Sequence, residues 1–187
     1  PHCPSCTQAL ETCGHVLYCT EAGRVDALDR SIGLLDGWLK EVGTEPSLRR
    51  CLVNFARGRD GTTMEEITLG WESGFREMAL LQDEIGWRRF MEGMISREIL
   101  PIQADFVEMR ECSLSLDGWA QGLVIRLLKT THGQWLYCNL HVHDRLAGVS
   151  ARQGRRRYSA LLRTSWNWVD GDLMNKTIFC WRSISTT

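Results

Sequence analysis

Cys3, Cys6, His15 and Cys19 stand in the order Cys-x2-Cys-x8-His-x3-Cys, three sulfurs and an imidazole within seventeen residues. A close Cys pair followed by a close His/Cys pair lets two short turns present their donors tetrahedrally to one ion, as a closed structural zinc site requires. Four protein donors leave no open position, so a bound Zn2+ is expected to hold the fold and not to activate water. The Cys3-Pro4-Ser5-Cys6 turn reads as a knuckle, and Gly14 beside His15 eases the second turn. Cys13 and His2 stand as alternative donors. They rank lower because Cys13 lies two residues from His15 and His2 adjoins Cys3, which strains a shared chelate. The competing reading is scattered core thiols or a disulfide pair. Eight cysteines in 187 residues fall below the density of a disulfide scaffold, and Cys51, Cys112, Cys138 and Cys180 stand alone, as small buried hydrophobes do.

Other reactive side chains form weaker patterns. Asp105, Glu108 and Glu111 recur at helical spacing, and Glu65/Glu66 and Asp83/Glu84 are adjacent pairs. A catalytic pair needs surroundings that push two pKa values apart, whereas these polar segments read as solvated helix faces. His141 and His143 would share a face on a strand, but on a helix they diverge by about 200°. Those imidazoles and His132 are therefore expected near a helix end and not on a second metal. No Gly-rich phosphate loop, nucleophile elbow or kinase signature occurs. Catalytic residues are accordingly none. Trp71, Trp87, Trp119 and Trp135 read as core or interface anchors, because base stacking would need a basic groove beside them.

The formal net charge of -1 argues against a broad nucleic-acid surface. After residue 150 there are seven Lys/Arg against two Asp/Glu, which leaves fifteen against twenty-one before it. The body is acidic and the basic excess sits in the tail, where Arg155-Arg156-Arg157 is the longest basic run. A hydrophobic content of 43% supports a core, and no apolar stretch reaches membrane-spanning length. With no leader in evidence, an intracellular setting, nuclear or cytoplasmic, is expected. Pro1 in place of Met reads as the start of a piece of something longer.

The elements that must carry the cluster are helices. Val25, Leu28, Ile32, Leu35 and Leu39 recur three or four apart, and Gly43 is a natural stop. Thr44 as cap and Pro46 near the first turn begin a second helix lined by Leu48, Leu52, Val53 and Phe55. Residues 57–63 read as a loop. Helix returns from Phe75 through Leu81, Ile85 and Phe90 to Ile95, and Pro101 breaks or restarts it before a stretch lined by Ile102, Phe106 and Met109. Trp119 to Leu146 is the strongest helical segment, with Gly133 as a kink or close contact. The expected fold is mainly α: a zinc knuckle at 1–20, an antiparallel helical bundle at 21–150, and an irregular tail at 151–187.

Several stretches carry a family resemblance. Cys3-Pro4-Ser5-Cys6 with Glu11 through Cys19, Glu45-Pro46-Ser47-Leu48, Ile85-Gly86-Trp87, and above all Thr130 through Tyr137 with Val142-His143-Asp144 are its motifs. Over residues 1–150 the chain resembles the zinc-binding region downstream of reverse transcriptase and ribonuclease H in eukaryotic, diatom-type retroelement proteins. The resemblance implies a non-catalytic, zinc-stabilised module whose polymerase and nuclease parts lie elsewhere. The implied partners are RNA or single-stranded DNA, weakly bound, and the upstream domains of the parent protein. The family commonly carries Arg where this chain has Cys138. Past Ser150 the resemblance stops. Reading each third codon base of Arg156 to Asp170 with the next two bases permits a polar helical sequence like the family's continuation, and the genetic code forces Glu, Leu and Gly from Trp166 through Val169. A frameshift between Val149 and Arg157 is the expectation, which would make Trp166, Trp168, Trp181 and the basic run accidental. A stand-alone zinc-dependent hydrolase or nuclease, and a decayed product without selected function, are the alternatives.

Overall fold

The structure, a computed structural model, describes residues 2–3, 5–10, 12–108, 114–146, 148, 153–154, 156–162 and 164, excepting the side chains of residues 13 and 141–146. It is mainly α, and its described residues form no strand beyond one isolated antiparallel bridge between His2 and Leu10. A six-residue helix α1 (Cys13–Tyr18) leads into α2 (Ala22–Glu41), which starts where the Glu21 carboxylate accepts the Arg24 backbone N–H at 3.1 Å. α2 buries Leu28, Ile32, Leu35 and Leu39, the stripe expected from its spacing. It stops at Gly43, whose φ of 74° is the left-handed conformation a glycine adopts without a Cβ clash.

α3 (Pro46–Gly58) packs back on α2 and places Pro46 in its first turn, where the missing N–H would have had no partner. Its cap is Glu45, whose carboxylate accepts the Leu48 N–H, and not Thr44. Thr44 is drawn inward instead: its hydroxyl accepts the buried Trp119 indole N–H at 2.8 Å, which would otherwise lack an acceptor in the core. Beneath the same turn the buried Gln103 amide donates to the Gly43 carbonyl at 3.1 Å and accepts the Glu45 N–H at 2.9 Å. One glutamine and one tryptophan thus satisfy the polar groups of the α2–α3 turn.

Arg59 and Asp60, both left-handed at φ 48° and 66°, reverse the chain after α3. A single turn, α4 (Met64–Ile67), follows, held by a Thr63–Glu66 capping box and by the Asp83 carboxylate, which accepts the Met64 and Glu65 N–H groups at 2.8 Å each. The continuous helix expected from Phe75 to Ile95 is two: α5 (Ser73–Ile85) and α6 (Trp87–Met91) meet at Gly86, φ 86°. The break turns Trp87 into the core, where its indole donates to the Ala56 carbonyl at 3.2 Å. In α7 (Ile99–Glu108) Pro101 lies in the first turn and so starts the helix; the fully buried residues are Ile99 and Gln103, with Ile102 and Phe106 half-buried. Met109 and Cys112 lie outside the described residues.

α8 (Leu116–Leu146) runs through Gly133 without a break and buries Trp119, Leu123 and Leu127. Its close contact is at Gly122, where a Cβ would lie 2.3 Å from Cζ2 of Trp38. Two compact units divide the chain, residues 1–135 and residues 136–187. In the second, Tyr158 and Leu162 are buried, and Tyr137 meets Tyr158 edge-on with ring centroids 5.4 Å apart. Arg156 and Arg157 are exposed on a helical stretch, while Arg155, Trp166, Trp168 and Trp181 lie outside the described residues. No helix among the described residues is long and apolar enough to cross a membrane.

Candidate metal centre

The first pair of donors is set by a tight reversal. The His2–Leu10 bridge closes it, the Cys3 N–H donates to the Ala9 carbonyl at 2.8 Å, and the Thr7 N–H donates to the Cys3 carbonyl at 2.8 Å. This folds Cys6 back over Cys3. The second pair comes from helix geometry and not from the turn expected around Gly14. Thr12 caps α1 by accepting the His15 N–H at 3.1 Å, and the Cys19 N–H bonds the His15 carbonyl at 2.8 Å. His15 and Cys19 are therefore one helical turn apart on one face.

The ligand atoms of Cys3, Cys6, His15 and Cys19 all lie within 4.8 Å of one another. Cys3 Sγ is 3.9 Å from Cys19 Sγ, and Cys6 Sγ is 3.3 Å from His15 Nε2. Two sulfurs each about 2.3 Å from a tetrahedral ion sit roughly 3.8 Å apart, and a sulfur and an imidazole nitrogen roughly 3.5 Å apart. The two measured edges are close to those of a metal tetrahedron, and the sulfurs are far beyond disulfide bonding distance of about 2 Å. The four residues can hold a metal ion. His2 is exposed and outside this group, and the side chain of Cys13 lies outside the described residues.

Local electrostatics divide the thiols. The backbone N–H groups of Ala9 and then Gln8 lower Cys6 to about 6, whereas burial raises Cys19 to about 11. A divalent ion supplies the positive charge that makes every coordinating thiol a thiolate.

Two arginines fasten this segment to the helices. Arg24, wholly buried in the first turn of α2, donates through Nε to Ser5 Oγ at 3.0 Å and through Nη1 to the Val16 carbonyl at 3.1 Å, and points Nη2 at Cys3 Sγ, 4.0 Å away. Arg59 donates through Nη1 to the Cys19 carbonyl at 2.8 Å and through Nη2 to the Arg24 carbonyl at 3.4 Å. The Tyr18 ring lies 5.3 Å from that of Trp87. Neither arginine was marked by sequence: Arg24 reads as part of the polar face of α2, and Arg59 as part of a loop. The one local hint for Arg24 is its position five residues past the last donor.

The other sequence candidates do not converge. Asp83 caps α4, and Asp105 and Glu108 are exposed. His132 stands midway along α8, not near a helix end as expected, and stacks on Trp135 with ring centroids 5.5 Å apart; His141 and His143 belong to α8, their side chains outside the described residues. Trp87 and Trp119 are core residues; Trp71 carries Arg50 over its ring at 5.0 Å, and Trp135 is 51% exposed. Comparison with known proteins finds no matching family model, no similar curated protein and no similar solved structure.

Proposed function

We propose that this chain is a non-catalytic, zinc-stabilised helical module, in keeping with its sequence resemblance to the region that follows reverse transcriptase and ribonuclease H in retroelement proteins. The observation that carries this reading is the junction of metal cluster and helical body. The four donors lie within 4.8 Å of one another, two of their edges are close to those of a zinc tetrahedron, and Arg24 and Arg59 bind that cluster to the start of α2 and the end of α3. An ion held there would lock residues 3–19, the segment that both arginines bond. Its four protein donors fill the vertices a hydrolytic zinc would keep open for water, which favours the module over a zinc-dependent hydrolase or nuclease.

The module's role is to present a helical surface to upstream domains of a parent protein, with RNA or single-stranded DNA as a weaker partner. The acidic body before residue 150 limits the electrostatic share of any nucleic-acid binding. Protein purified under reducing conditions should carry one zinc per chain by atomic absorption and lose helical circular dichroism on chelation. Titration of RNA and single-stranded DNA oligonucleotides at two salt concentrations should give weak, salt-sensitive binding. Absence of stoichiometric zinc, or zinc-dependent turnover of phosphodiester or peptide substrates abolished by ligand substitution, would overturn the reading.

A further inference from the structure

Resting on the zinc reading, we propose that Arg24 is the buried counter-ion of the metal centre, holding its net charge at minus one and so selecting a divalent ion with three thiolates. The starting point is a solvation problem. Arg24 is 0% exposed, and a guanidinium does not shed its proton inside a protein. A buried cation without an anion is strongly disfavoured.

No carboxylate pairs with it among the described residues. Their ion pairs engage Arg30, Arg49, Arg88 and Arg89. Glu21, the acidic residue nearest in sequence, bonds the Arg24 backbone N–H. Ser5 Oγ and the Val16 carbonyl satisfy hydrogen bonds but bring no charge. The remaining neighbours are the sulfurs of the cluster: Cys3 Sγ, toward which Nη2 points at 4.0 Å, and Cys19, whose thiol feels the Arg24 charge.

A divalent ion with three thiolates and a neutral imidazole carries one negative charge, which the buried Arg24 guanidinium offsets, while the half-buried Arg59 at Cys19 has the Asp29 carboxylate as its own counter-charge. Two thiolates with two imidazoles would be neutral and leave Arg24 unpaired. Four thiolates, or a monovalent ion with three, would leave a negative charge uncompensated. The choice of His15 as the single nitrogen donor and the burial of a single arginine beneath the sulfurs are then two parts of one charge balance. Groups that bond ligand atoms commonly tune metal affinity by about 10- to 100-fold.

The test is a charge cycle on the full chain, read as the zinc dissociation constant by competition with a chromophoric chelator under reducing conditions. Arg24→Met keeps much of the stem and removes the charge; Arg24→Lys keeps the charge. Cys6→His makes the centre neutral at a half-buried position that the guanidinium does not touch. Arg24→Met should weaken zinc binding about 10- to 100-fold in the native centre and far less beside Cys6→His, with Arg24→Lys between them. Should Arg24→Met fail to fold alone, folding restored by adding Cys6→His is the expected result. Equal losses in both backgrounds, or failure to fold in both, would reduce Arg24 to a packing residue and overturn the proposal. Wild-type protein without stoichiometric zinc would defeat the zinc reading itself, whereas zinc-loaded protein with uncoupled variants defeats only this inference.

Discussion

Burial pushes the Cys51 thiol up to about 12, with the negative charge of Asp83 adding to the shift. The folded value lies above the ordinary 9.0, so the stability this thiol contributes is complete below about pH 9 and is lost as pH rises toward 12. Cys51→Ala should therefore flatten the alkaline limb of the stability–pH curve, measured by urea denaturation. In the native protein at pH 8, Cys51 should also escape iodoacetamide; mass mapping that finds it labelled as fast as a small free thiol would refute its burial. The cysteines of the candidate metal cluster differ in being marked by their spacing. Their spacing was legible because coordination demands particular atoms at particular intervals, which leaves a mark in sequence. Arg24 left none. An arginine in the first turn of a helix ordinarily faces water, and only the fold of the cluster segment over it brings it, buried, to Ser5, the Val16 carbonyl and the Cys3 sulfur.

Along single elements, hydrophobic periodicity located the long helices α2, α3 and α8, while their ends and joints depended on partners distant in the chain. Gly86 divides an otherwise continuous apolar pattern because Trp87 must reach the Ala56 carbonyl, and Thr44 yields its capping role to Glu45 because Trp119 needs its hydroxyl. Gln103 shows the energetic consequence. Gln103→Leu would strand the Gly43 carbonyl and the Glu45 N–H, at about 1–3 kcal/mol for each buried orphan. The urea midpoint should fall with little change in slope, and an unchanged midpoint would mean that solvent reaches the turn. Gly122 allows a sharper contest between effects. Alanine normally stabilises a helix interior by about 1 kcal/mol over glycine, but here its Cβ would lie 2.3 Å from the Trp38 ring, and overpacking costs about 1–3 kcal/mol. Gly122→Ala should destabilise the wild type yet regain the helix benefit beside Trp38→Leu. A midpoint that rises in the wild-type background would show that the indole has room to move.

For the molecule as a whole, an ion bound at the cluster would act on more than the seventeen residues from Cys3 to Cys19, because the cluster shares its buried arginine with α2 and takes a second from the end of α3. Removing a divalent ion from three thiolates leaves sulfurs that reprotonate and a guanidinium with no anion, so the penalty falls on the first turn of α2 as well as on α1. A ligand present at about 1,000 times its dissociation constant adds about 4 kcal/mol to stability, and 1 kcal/mol moves the midpoint of a chain of this size by about 2–4 °C. Chelation should accordingly lower the thermal midpoint by on the order of 10 °C and reduce helical circular dichroism, and readdition of zinc should restore both. Amide exchange in the chelated protein should rise first across residues 3–24 and at Arg59, and last at the buried stripe of α2 and the Trp119 to Leu127 face of α8. If exchange accelerated only within residues 3–19 and the midpoint of zinc-bearing protein did not move, the cluster would be an appendage and the two arginines would not transmit its stability to the helices.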